Sequence, residues 1–132
     1  MSEINLTQHK LLASWAADCA EHVLPVFEKE EADDRSRKAI EASRAWVRGD
    51  ITITEARKFA FAAHAAAREA KSAEATAAAR SAGHAAATAH VHTHAKHAAA
   101  YALKAVKDQK AEREWQMERA KLLGIDLVSL SQ

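Results

Sequence analysis

Residues 82–106 read AGHAAATAHVHTHAKHAAAYALKAV, five histidines in an alanine-rich stretch without proline. Imidazole can ligate a metal, carry a proton or fill a polar slot in a core. The arrangement of these rings therefore bears on whether the chain is a metal protein, an enzyme or a binding module. Alanine is the best helix former, so the stretch is expected to be helical. At about 100° per residue, His94 falls about 40° from His90, and His97 about 20° to the other side. His90, His94 and His97 then share one stripe, His92 points roughly opposite, and His84 lies about 120° from His90.

Two chemistries fit this pattern. In the first, His90 and His94 grip one ion at i, i+4 spacing, His97 adds a ligand one turn on, and His64 or His22 completes the shell. Zinc or another divalent metal would be the cofactor. In the second, the rings pack between alanine-rich helices and hydrogen-bond to carboxylates or backbone, with no cofactor. A zinc-protease reading fails at its general base, because Val91 stands where a glutamate is needed, and Glu-x-x-His pairs of the ferritin type are missing.

Other catalytic classes find less. Cys19 sits beside Asp18 and near Glu21, which oppose thiolate formation, and on the apolar side of its helix it reads as a small core residue. There is no Gly-x-Ser-x-Gly elbow and no glycine-rich phosphate loop. With no complete constellation, the chain is expected not to be an enzyme.

The elements that must carry these residues are helices. The 132 residues contain three glycines and one proline, too little punctuation for a many-stranded fold. About a quarter of the positions are alanine, far above ordinary usage, so the core gains from close helix approach more than from bulk. The sequence predicts one all-α domain, 1–132, of about five helices. Its core would span about 6–123, with a tail at 124–132 whose apolar part, 125–130, docks on the body.

The first helix starts near Thr7 and reaches about Lys29, with Pro25 kinking it or ending its first part near Leu24. A polar loop over 28–34 leads to a second helix, capped by Asp33 or Asp34 and closed by Gly49-Asp50. Residues 51–53 form an extended connector, and Thr54-Glu55 starts a third helix to about Ala70 that packs through Phe59, Ala60, Phe61, Ala63 and Ala67. A fourth runs over about 73–107 with a break near 81–83, and a fifth over about 108–123 before Gly124. Trp15, Trp46 and Trp115 lie on apolar stripes and are expected in the core.

The formal charge is +1, which gives no footprint for nucleic acid or an anionic membrane. Arg35, Arg37, Lys38, Arg44 and Arg48 on the second helix are offset by Glu28, Glu30, Glu31, Asp33 and Asp34. That acidic corner is a candidate docking surface for a basic protein. One cysteine, no signal peptide and no apolar run of spanning length predict a cytoplasmic protein. An alanine-rich face can pack within the domain or across a homodimer.

Several stretches resemble the Imm-5-like family of bacterial immunity proteins. They are LLASWAADCAEHVLPVFE (11–28), RKAIEASRAWVRGDIT (37–52), EARKFAFAAHAAAREA (55–70), the histidine segment (82–106) and EREWQ (112–116). The start WAADCAE and the segment AH…HA…YALKA are the most specific. The resemblance implies an all-helical domain of a polymorphic toxin system that binds and neutralises a cognate toxin without catalysis. His92 and His97 depart from the pattern. Independently of family, burial of His64, His90 and His94 as neutral rings would make stability fall below about pH 6.5.

Overall fold

The computed structural model describes residues 4–127. Six helices follow in order: α1 (Leu6–Glu28), α2 (Arg35–Arg48), α3 (Ile53–Glu69), α4 (Ala73–Ala87), α5 (His94–Lys104) and α6 (Gln109–Leu122). The all-α expectation holds, with six helices among the described residues in place of about five. No helix among the described residues is long and apolar enough to cross a membrane.

Local chemistry sets the ends. α1 starts one residue earlier than Thr7, because Asn5 and Gln8 close a capping box in which each side chain accepts the other's backbone N–H, at 2.8 and 3.1 Å. α3 likewise starts before Thr54: Thr52 and Glu55 form a second box, which draws Ile53 into the helix. Ser72 caps α4 and Asp108 caps α6, each accepting an N–H at 3.0 Å. α2 ends on Gly49 at φ +83°, a left-handed position suited to glycine. Pro25 neither ends nor divides α1, which runs on to Glu28.

The expected break at 81–83 is absent. Gly83 lies inside α4, and the chain turns instead over 88–93. A regular helix over 73–107 would carry its far end beyond a core this small. The turn lets α5 fold back on α4, and α5 stops at Lys104, short of the expected end.

α4 is the hub, packing on α1, α2, α3 and α5. Its buried residues are Ala75, Ala77, Ala78, Ala79, Ser81, Ala82, Gly83, Ala85 and Ala86, which from Ala75 on cover all of the helix but the stripe of Thr76, Arg80, His84 and Ala87. Each small side chain contributes little buried area, about 0.8 kcal/mol per methyl-sized group. Their value is that four neighbours can approach the same helix closely. Bulk comes from α1, where Leu12, Trp15, Val23, Leu24 and Phe27 are buried, and from Ile40 and Trp46 on α2. Phe59 and Phe61 do not pack as expected: they are 37% and 61% exposed, Phe59 at the edge of a groove with α2. Close α3–α4 packing goes through alanines, leaving the larger rings outside.

Buried hydroxyls bond to backbone carbonyls across helices: Ser43 to Ala13 at 3.0 Å and Ser81 to Ala98 at 2.7 Å. The Trp15 indole donates to the Gln116 carbonyl and the Gln116 amide to the Ala99 carbonyl, both at 2.9 Å, fixing α6 to α1 and α5. Past α6, Gly124 adopts φ +78° and Ile125 is buried against the core, as expected for the start of the tail. The expected docking of 128–130 lies outside the described residues.

Candidate functional site

The 88–93 turn rearranges the histidines. His90 sits in the turn, exposed, so it does not share a helical stripe with His94 and His97. His84, set apart by a straight helix, is instead brought over α5. Its Nδ1 lies 2.9 Å from Nδ1 of His94, and the rings stack with centroids 5.1 Å apart. His97 stands 5.3 Å and Tyr101 5.3 Å from the His84 ring, the tyrosine parallel to it. From α3, His64 meets His84 edge-on at 4.9 Å, and the Arg80 guanidinium donates to His64 Nδ1 at 2.9 Å.

Glycine makes room for this junction. A Cβ on Gly83 would lie 2.7 Å from two atoms of the His64 ring. The ring therefore rests on bare α4 backbone. Burial, followed by the charge of Arg80, holds the pKa of His64 down at about 4. Burial, followed by the neighbouring histidines, holds His84 at about 3. His94 is lowered by burial and by His97 and His90. His64 and His94 thus fit the expectation of neutral, sheltered rings, whereas exposed His90 falls outside it.

The remaining histidines form separate contacts. His22 on α1 stacks on Trp115 at 3.7 Å, and its Nδ1 is 2.9 Å from a Glu112 carboxylate oxygen. That places Trp115 at a half-buried edge, while Trp15 and Trp46 are in the core. His9 packs on Trp46 at 4.7 Å, with His92 beside it at 6.0 Å. Of the set His22, His64, His90, His94 and His97, the structure gathers His64, His94 and His97 around His84 and leaves His22 and His90 apart. Among the described residues, no group of three or more His, Cys, Asp or Glu side chains is arranged to hold a metal ion.

Cys19 is fully buried, and burial, then Glu112 and Asp18, push its thiol pKa well up. An inert thiol is what the flanking acids predicted. Nearby, Asp18 bridges Arg44 at 2.8 Å and Arg119 at 2.9 Å. Asp18 and Arg119 line an open cleft of about 370 Å³ with Glu21, His22, Pro25 and Trp115.

The acidic corner lies where α1 hands over to α2. Glu28 holds Arg37 through two hydrogen bonds of 2.6 and 2.8 Å, and Asp33 holds Arg35 at 2.6 Å. Those bonds keep both carboxyls below their ordinary pKa. Asp34 pairs with Lys38 at 3.3 Å, Glu31 accepts the Lys71 backbone N–H at 3.2 Å, and Glu30 is exposed. The corner is thus a junction of α1, α2 and the α3–α4 connection, with its charge largely balanced in place.

Sequence reading set His84 apart from the other rings, placed a break at Gly83 and passed over Arg80. The only sequence signal for them is the cluster AARSAGHAAA itself, since their partners arrive by way of a turn that alanine-rich composition conceals.

Comparison with curated proteins and with solved structures finds no match. A family profile described as "Imm-5 like putative immunity protein" matches residues 2–123, nearly the whole chain. The chain belongs to this Imm-5 like family.

Proposed function

We propose that the protein is an immunity protein that binds a cognate bacterial toxin and neutralises it stoichiometrically, without chemistry of its own. The observation that carries this reading is the family match over residues 2–123. The inert Cys19 and the histidines engaged with one another are in keeping with it.

The contact face proposed for the toxin is the corner of Glu28, Glu30, Glu31, Asp33 and Asp34. Its members divide by role. Glu28 and Asp33 hold arginines and shape the corner. Glu30 and Asp34 present charge to a basic partner, because an exposed pair such as Asp34–Lys38 is worth little and exchanges readily. Electrostatic matching of this kind mainly sets association rate and specificity.

The test starts with a tagged pull-down from the native host, followed by assay of any stoichiometric partner for toxic activity with and without the chain. A partner that is toxic alone and silent in the complex is the expected result. A partner whose toxicity is unchanged in the complex overturns the reading. Charge reversal of Glu30, Glu31 and Asp34 together should reduce protection at least tenfold in toxin dose. Full protection by that variant would remove the corner from the interface.

A further inference from the structure

The turn at 88–93 is tied to α1 at its start, where His9 Nε2 bonds the Thr88 carbonyl and its ring meets His92. The turn is closed by local bonds such as His94 N–H to Val91 and Ala95 N–H to His92, both 3.1 Å. Thr93, the α5 cap, makes no side-chain capping bond. The first turn of α5 is held by buried Ala95 and Ala98 and by the side-chain junction with α4, which has the His84–His94 bond at its centre and Ser81 to Ala98 one turn further on.

That central bond has room for one proton. With Nδ1 facing Nδ1 at 2.9 Å, one ring donates and the other accepts. A second proton sets donor against donor. His64 is constrained in the same way. Guanidinium is only a donor, so His64 Nδ1 must accept from Arg80, and protonation there puts two cations 2.9 Å apart. A charge on His94 would also sit at the positive N-terminal end of α5.

The groups facing the junction offer no relief. α3 contributes His64 and Arg68, and α4 contributes Arg80 and His84. His90 acts from the turn, and α5 brings His94, His97 and Tyr101, with Lys104 over the tyrosine ring at 4.9 Å. The charges acting on His64, His84 and His94 are all basic, with no carboxylate among them.

We propose that the junction of His64, Arg80, His84, His94 and His97 is a proton-operated latch, which holds the 88–93 turn and the first turn of α5 on α4 while the rings are neutral and releases them on acidification. The lowered pKa values of His64, His84 and His94 accord with a closed state that resists protonation. Opening separates His84 from His94 and exposes both, so their pKa rises toward the ordinary value and acid favours the open state. The latch does not depend on the immunity reading, and it is tested on the isolated chain.

The experiment is amide hydrogen exchange on the full chain between pH 7.5 and pH 5, corrected for intrinsic exchange. Protection over 88–97 should fall ahead of that in α1 and α4. At pH 5 the drop should be about 30-fold from His84, whose pKa returns from about 3 to the ordinary 6.5 on opening. Equal protection over 88–97 at both pH values, or loss there only together with the whole core, would overturn the proposal. His84→Gln should shrink the pH dependence, because it removes a titrating ring and keeps a hydrogen-bonding side chain. If that variant does not fold, His94→Gln serves the same purpose. A folded variant of either kind that keeps the full pH dependence would count against the latch.

Discussion

At the residue scale, the pairing of Gly83 with His64 makes the sharpest claim. Adding a Cβ at Gly83 places it 2.7 Å from the ring, so the ring must move and its bond to Arg80 is disturbed. Gly83→Ala should therefore destabilise the chain by about 1–3 kcal/mol despite the better helix propensity of alanine. In a His64→Ala background the obstacle is gone, and Gly83→Ala should stabilise by up to about 1 kcal/mol. Urea unfolding of the four proteins measures the cycle. Additive effects would mean that His64 does not rest on Gly83. The sequence placed both residues in helices, yet it offered no way to see that they touch, because Gly83 read as a weak point in α4 and His64 as one member of an alanine run.

At the element scale, α1 shows how packing overrides a local signal. Pro25 has no N–H to donate to the carbonyl of Glu21, and on its own it should bend or stop the helix. α1 continues to Glu28 because Val23, Leu24 and Phe27 are buried around the proline, each 1% exposed. Pro25 itself is exposed. Pro25→Ala should then restore the missing bond without disturbing the core, raising stability by about 1–3 kcal/mol in chemical denaturation. No gain would show that the proline ring itself packs usefully against the cleft it lines with His22 and Trp115. The opposite case is the 88–93 turn, where strong helix formers on both sides give way to a reversal that lets α5 cover α4.

At the scale of the whole molecule, the charge distribution predicts an acid-sensitive fold with two stages. The first belongs to the histidines. Their folded pKa values, about 4 for His64 and about 3 for His84, lie below the ordinary value of 6.5. The unfolded chain takes up protons first, so stability is full above about pH 6.5 and falls as pH drops toward 4. The second stage belongs to Glu28 and Asp33, whose carboxyls are held low by Arg37 and Arg35. Their contribution is present above the ordinary carboxylate range and is lost only below it. Melting temperature followed from pH 8 to pH 3 should decline well before the carboxylates titrate. A flat profile between pH 7 and pH 5 would contradict neutral, sheltered imidazoles.

By itself the sequence determined the all-helical class, the connections near 29–34, 49–52 and 70–72, the inert setting of Cys19 and the resemblance that the family match bears out. These rest on propensity, capping chemistry and flanking charge, all of which act within a few residues of chain. Only the tertiary structure decided that α4 and α5 are separate helices, that His84 and His94 face each other, and that the carboxylates of the acidic corner are held by arginines. Those facts depend on which helices meet. Alanine carries almost no shape by which one helix face could be told from another, so the meeting is settled by packing around α4 as a whole.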